Sequence, residues 1–463
     1  TSSGRTGLRL SSAGLSPGAG RTGLKFFDAA PSTSSGRAGL RLSGAGPSPG
    51  AGRTGHHAIL SGSILALAAL LALPAVAKEG DTFRPFLSYA QYYDSNLFRL
   101  ADDENAVVIE KGIPTYATQR SDTYGVLNLR LDMNLKLGRQ QILASASKSL
   151  VRYSNFSSLD YDGEDYRATW NWRLGNHWSG QLGASEVVTQ TSFYDLNYVL
   201  GTFVAVSNLV TRDRQFGSAE WEIHPRWRVG GGGALTTSEN STLVQRSQDY
   251  EDDNGYAYLM YVTPKGSKLR GEIRHINANY PNRELVAGSL IDNSYTQNEF
   301  NFLGDWTVAG KLLAHLRLGY VDRQHENLSS HDYSGLAGRV NADYSATGKT
   351  VLSMAVYREP APLEDVNSSF LLTTGASINA LWRVTDKTAV RAGAIYENDL
   401  YDQIVTTGVQ RDDDILSGSL SVSYSPIRMA AIAVGLQAGN LDSIIPVNDY
   451  TFYSAFLSVQ AEF

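Results

Sequence analysis

Basic residues recur at even spacings along this chain: Arg130 with Lys136, Arg167 with Arg173, Arg212 with Arg214, and Arg270 with Arg274. Arg228, Arg317, Arg339, Arg383 and Arg391 lie in segments of the same character. Carboxylates at Asp132, Asp165, Glu220, Glu222, Glu272, Glu299, Asp305, Asp343 and Glu462 share their register. An even spacing puts side chains on one face of a β-strand. Guanidinium groups on such a face could form a mildly basic, water-filled conduit that favours anionic or sugar-rich solutes. The plainer reading is that these charges pair across strands and hydrate an interior. Both readings stay open at this level.

Other chemistry finds little support. Cysteine is absent, which excludes disulfides, thiolate metal sites and a Cys nucleophile. There are eight histidines, and only His325 and His331 flank a common loop. Neither H-E-x-x-H nor G-x-S-x-G occurs. No catalytic residue, cofactor or metal is therefore expected. Asp102-Asp103-Glu104, "YEDDN" (250–254, at a strand start) and "RDDDI" (411–415) read as solvated acids at the outer-loop end, because none has the spacing of a calcium loop. The net charge of −6 gives no reason to expect a nucleic-acid partner.

The elements that must carry the charged face are strands. In "TYGVLNLRLDMNLKLG", Leu127, Leu129, Leu131, Met133, Leu135 and Leu137 alternate with Asn128, Arg130, Asp132, Asn134 and Lys136. "DYRATWNWRLG" and "ILSGSLSVSYSP" alternate in the same way. Many such runs reach ten residues or more, the length that a tilted membrane-spanning strand needs. Eighteen strands can be counted, joined alternately by long polar links and short turns. The short ones include Gly138-Arg139-Gln140, "TPKGSK" (263–268) and Pro426-Ile427, and the long ones include 94–121 and 192–211. This asymmetry predicts an all-β fold: a transmembrane, antiparallel, up-and-down barrel with short periplasmic turns and long extracellular loops. All seven tryptophans sit near short turns, as an interfacial girdle requires.

Three regions are expected. Residues 1–55 hold two copies of a Gly/Ser/Pro-rich repeat and read as translated upstream sequence, disordered if made. Residues 56–77 read as a secretory signal peptide whose cleavage site is formed by Ala75 and Ala77. Residues 78–463 would be the barrel, in the outer membrane of a Gram-negative cell and in contact with its lipids. The closing alternation of Tyr453, Leu457, Val459, Ala461 and Phe463 fits a last strand that closes against "FRPFLSYAQYY" (83–93) and is recognised by barrel-assembly machinery. A solute porin would be expected to carry a long inward-folding loop, for which 94–121 and 192–211 are the candidates.

"FRPFLSYAQYYDSNLFRLAD" (83–102), with "RSDTYGVLNLRL" as second strand and a terminal Phe, resembles the EpsL-type β-barrel porin family associated with exopolysaccharide operons. The resemblance implies an outer-membrane outlet for a secreted polysaccharide, working with a periplasmic polysaccharide-export protein. It implies no catalytic residue. The alternative is a general or solute-specific porin for small-molecule uptake.

Overall fold

Alternating apolar and polar residues leave a strand with one face for lipid and one for water, and a sheet of such strands has no free edge only if it closes. The computed structural model describes residues 82–463 apart from 103, 111–112, 118, 194–197, 200–201, 284–291, 309, 328, 363–369 and 405–409. The expectations for 1–55 and for 56–77, Ala75 and Ala77 included, lie outside the described residues.

Eighteen strands form one sheet. They are β1 (Phe83–Asp94), β2 (Asp122–Leu137), β3 (Gln140–Tyr153), β4 (Tyr161–Leu174), β5 (Trp178–Gln190), β6 (Leu209–His224), β7 (Trp227–Asn240), β8 (Tyr250–Val262) and β9 (Lys268–Asn279). β10 (Tyr295–Val308), β11 (Leu312–His325), β12 (Tyr333–Ser345), β13 (Thr350–Pro362), β14 (Phe370–Arg383), β15 (Thr388–Ile404), β16 (Gln410–Ile427), β17 (Ala430–Ser443) and β18 (Tyr450–Glu462) complete it. Each strand pairs antiparallel with its sequence neighbours. β1 pairs with β2 on one side and β18 on the other, so the sheet is a closed barrel. At the seam Phe86 stands between Glu462 and Arg130, and the Phe463 amide donates to the Pro85 carbonyl at 2.9 Å.

Residues directly opposite on neighbouring strands share a face, so the register assigns every side chain to the outside or the lumen. The outward face carries Leu129, Leu131, Leu182, Ile273, Phe300, Leu318, Val356, Leu420 and Leu436, all exposed. Beside this apolar band Trp170, Trp172, Trp178, Trp221, Trp227, Trp306 and Trp382 all face outward, within a few residues of a short turn. Trp178 and Trp221 stack at 5.7 Å. Amphipathic rings at one edge of an apolar band mark a membrane interface. Four short turns use glycine at positive φ (Gly138, Gly175, Gly266 and Gly310), a region that residues with a Cβ avoid.

Two expectations about connections are corrected. "YEDDN" opens β8, the strand start expected of it, but "RDDDI" lies in β16 and not in a loop; Asp252, Arg411 and Asp413 face in and Glu251, Asp253, Asp412 and Asp414 face out. The strands run 12 to 18 residues, longer than the 9–11 that cross the apolar layer, so both faces turn polar before the strand ends. The last short turn is Arg428-Met429 rather than Pro426-Ile427, because β16 passes through a register shift between Tyr424 and Ile427. Pro426 lacks an N–H for the ladder and is tolerated at such an irregularity.

Candidate functional site

The charged face is the lumen. Arg130, Asp132, Lys136, Arg167, Arg173, Arg212, Arg214, Arg228, Arg270, Glu272, Arg274, Arg317, Arg339 and Arg383 all lie on the strand face opposite the tryptophans. Lys136, Arg173 and Arg383 sit near the short-turn end. There, Arg173, Arg139 and Asn176 line a cavity of about 310 Å³.

The structure joins many of these residues into ion pairs. One continuous chain crosses β9 to β13. Arg270 contacts Glu272 at 3.0 Å, and Arg274 contacts Glu272 at 2.9 Å and Glu299 at 3.8 Å. Arg317 reaches Glu299 at 2.9 Å and Glu359 at 3.7 Å, and Arg339 reaches Glu359 at 2.8 Å. Glu299 also accepts from Gln297 at 2.6 Å and Asn301 at 2.8 Å. Smaller groups lie elsewhere. Arg130 pairs with Asp132 at 3.3 Å and Arg167 with Asp165 at 2.6 Å, while Arg228 contacts Glu220 at 3.0 Å and Glu222 at 3.2 Å.

Tyrosines back the chain. The guanidinium of Arg270 lies 4.7 Å from the Tyr258 ring, that of Arg274 5.0 Å from Tyr256, and that of Arg339 4.0 Å from Tyr357. Tyr258 Oη donates to Glu220 at 2.9 Å, and Tyr357 Oη donates to Glu397. The four arginines of the chain exceed its three glutamates by one charge, so this part of the wall is polar and close to neutral. Glu272 and Glu299 have side chains only 1% exposed, and each is held by two arginines, as carboxylates withdrawn from water require.

Sequence reasoning missed Glu359, Tyr357 and Glu397. Glu359 lies beside a polar stretch that reads as a link, yet it continues the inward register of Ser353, Ala355 and Tyr357 on β13. The signal was there, since alternation runs unbroken through "SMAVYRE".

A cap packs against the lumen side of the wall at the long-link end. The link after β1 contributes short strands Ala106–Glu110 and Ile113–Tyr116, and the link after β5 contributes Tyr198–Val199 and Thr202–Ala205. These four form a second sheet, in which Ala106–Glu110 runs parallel to Thr202–Ala205. Beneath it Leu97, Phe98, Leu100, Ala106, Val108, Ala117, Phe156, Leu159, Phe193 and Ala205 make an apolar core, against which Tyr124 and Tyr153 pack. Those two tyrosines face the lumen from β2 and β3. The cap therefore lies on the lumen side of the wall. Phe98 meets Phe156 and Phe193 edge-on, at 4.9 and 5.5 Å. Asp122, buried at the top of β2, accepts from the backbone amides of Asn155 and Phe156 and so pins the link after β3 beneath the cap.

"YDSNLFRL" is the clasp that ties this cap to the barrel seam. Asp94 accepts from the Asn96 amide at 2.9 Å and from both terminal nitrogens of Arg99. Asn96 Nδ2 donates to the carbonyls of Leu100 and Thr451 at 2.8 and 3.0 Å, which ties the link to β18. Ser95 and Tyr453 exchange two further bonds.

No family model matches this chain, and no curated protein matches it. It is similar to solved porin structures. Against the outer membrane protein OpdK of Pseudomonas aeruginosa it is 9% identical with a TM-score of 0.44, covering 82% of this chain and 99% of that one. OccAB3 of Acinetobacter baumannii matches at 10% identity and a TM-score of 0.44, with 82% and 99% covered. A BenF-like porin of Pseudomonas fluorescens matches at 10% and 0.43, with 83% and 99% covered. At this identity the likeness concerns the barrel alone.

The resemblance to the EpsL-type family is corrected by these findings. The solved structures that match are porins, no family model supports the assignment, and the residues that suggested it serve a local structural task at the barrel seam. The exopolysaccharide outlet falls with it.

Proposed function

We propose that this protein is an outer-membrane porin, a passive channel for small hydrophilic solutes. The observation that carries the reading is the cap. Two long links fold over the lumen side of β2 and β3 and rest on Tyr124 and Tyr153. A mouth narrowed by such a cap suits solutes of a few ångströms better than a continuous polymer. Below it, the Arg/Glu chain supplies water-compatible contacts that a passing solute can exchange for its own hydration. The near-neutral balance of that chain favours polar or weakly anionic solutes over strong polyanions. In this reading the lumen arginines orient solutes and carry out no covalent chemistry, so the protein is a channel and not an enzyme.

The reading includes the route to the membrane. Residues 56–77 act as the export signal, cleaved after Ala77. Assembly machinery then recognises the outward residues of the last strand: Tyr453, Leu457, Val459, Ala461 and Phe463.

The test is conductance of the purified, folded barrel in planar bilayers, with liposome swelling in sugars of increasing size. Discrete ion-conducting steps and a sharp size cut-off are expected. A folded barrel that neither conducts nor admits any sugar would overturn the reading.

A further inference from the structure

Seven of the eight short turns carry an exposed cation: Arg139, Arg226, Lys265, Lys311, Lys349, Lys387 and Arg428. The eighth turn holds His177, and the only carboxylate in any of them is Asp386. None of the seven forms an ion pair among the described residues. Several instead bond backbone carbonyls in or beside the next turn. Arg139 donates to Gly175 O at 2.6 Å, Lys349 to Val384 O at 3.3 Å and Lys387 to Pro426 O at 2.9 Å. The cations thus form a collar around the whole rim.

The other end has the opposite sign. Outward-facing residues above the apolar band there include Asp162, Glu164, Asp253, Asp412 and Asp414. Lys148 and Arg152 on that face are already paired with Asp162 and Glu164.

We propose that the collar binds the phosphates of anionic phospholipids in the inner leaflet of the outer membrane. Three features select lipid. The tryptophans that mark the membrane interface lie at this same end and face outward. The turns are too short to carry their cations away from the headgroup layer; Trp382 and Lys387 are five positions apart across the turn. The cations are spread around the full circumference, as the lipid annulus is, whereas a docked protein would gather them on one side. Exposed Lys and Arg near a surface are attracted to anionic headgroups, and the attraction fades within a Debye length. The inference uses only the membrane-barrel reading with short turns on the periplasmic side, not the identity of the solute.

The experiment uses the tryptophans as reporters. The full barrel is folded into phosphatidylcholine vesicles containing brominated phosphatidylglycerol or, separately, brominated phosphatidylcholine, each at about a fifth of the lipid. Quenching by phosphatidylglycerol is expected to exceed quenching by phosphatidylcholine about two-fold. The excess should vanish at about 1 M salt, where the screening length is about 3 Å. It should also vanish in a variant with the seven turn cations changed to Gln.

Equal quenching by both lipids in the native barrel at low salt would overturn the inference. It would also leave the barrel reading intact, because either lipid quenches only an inserted protein. An excess that survives both high salt and neutralisation would overturn it too. The salt arm needs no variant, so the test holds if the substituted chain does not fold.

Discussion

Asp94 and Arg99 form a two-pronged ion pair at 2.8 and 2.7 Å, with the aspartate side chain 4% exposed and the arginine 16%. Arg99 holds a positive φ of 56° to make it and lies 4.0 Å over the ring of Phe452 on the last strand. The pair fastens the first long link to the seam where β1 meets β18. Removing one partner of such a buried pair leaves an uncompensated charge, at a cost on the order of 3 kcal/mol. Asp94→Ala should therefore lower the temperature at which the folded barrel loses its compact electrophoretic mobility. Arg99→Ala should do the same, and the double variant should cost less than the sum. Full additivity would show that the two residues do not act as a unit.

Phe98 anchors the cap through Phe156 and Phe193. Truncating a buried phenylalanine costs about 3–5 kcal/mol, and here the loss falls on the cap rather than on the ladder of the wall. Phe98→Ala should leave barrel folding intact and raise the mean conductance or the frequency of open events. Unchanged single-channel records would mean that the cap does not limit flow.

Glu299 holds Arg317 at 2.9 Å and lies 3.8 Å from Arg274. Glu299→Gln keeps the shape and releases one positive charge to the lumen. A unit charge about 10 Å from a passing ion in water changes its energy by about 0.4 kcal/mol, roughly a two-fold bias. The reversal potential in a salt gradient should shift toward anion selectivity by about that factor. Arg317→Gln should shift it the other way. Shifts of the same sign in both variants would refute the assignment of these residues to the conducting path.

Gly230 faces the lumen beneath Tyr258. A Cβ there would sit 2.4 Å from the ring of Tyr258 and 2.8 Å from the carbonyl of Ala219. Gly230→Ala should destabilise the barrel by about 1–3 kcal/mol through overpacking, and should displace the Tyr258 hydroxyl from Glu220. Gly271, on the outward face, has open space where a Cβ would go. Gly271→Ala should be neutral or mildly stabilising. The contrast can be read from denaturant midpoints of the two variants in the same lipid.

Much of this architecture is legible before folding. The alternation in "NLRLDMNLKL" puts Arg130, Asp132 and Lys136 on one side and the leucines on the other, because successive side chains of any strand point to opposite faces. Counting long and short links gives eighteen strands, because hairpins that cross a membrane must turn in water at both ends. The clustering of tryptophans beside short turns marks one rim of the membrane for the same reason. These features repeat along the chain and depend only on local geometry, so the sequence determines them by itself.

Contacts between strands and links distant in sequence required the tertiary structure. Alternation puts Arg317 on the lumen face, but only the register of β10, β11 and β13 brings it to both Glu299 and Glu359. "YDSNLFRL" looks like a family signature when read alone; folded, it is a clasp whose partners Thr451, Phe452 and Tyr453 come from the far end of the chain. The links 95–121 and 191–208 show no strand period strong enough to announce a sheet. They form one because Phe98, Phe156 and Phe193 find each other above the barrel mouth. Period-2 patterning records which side of the wall a residue faces. Which residue it meets there is decided by barrel closure, which fixes the register of eighteen strands together.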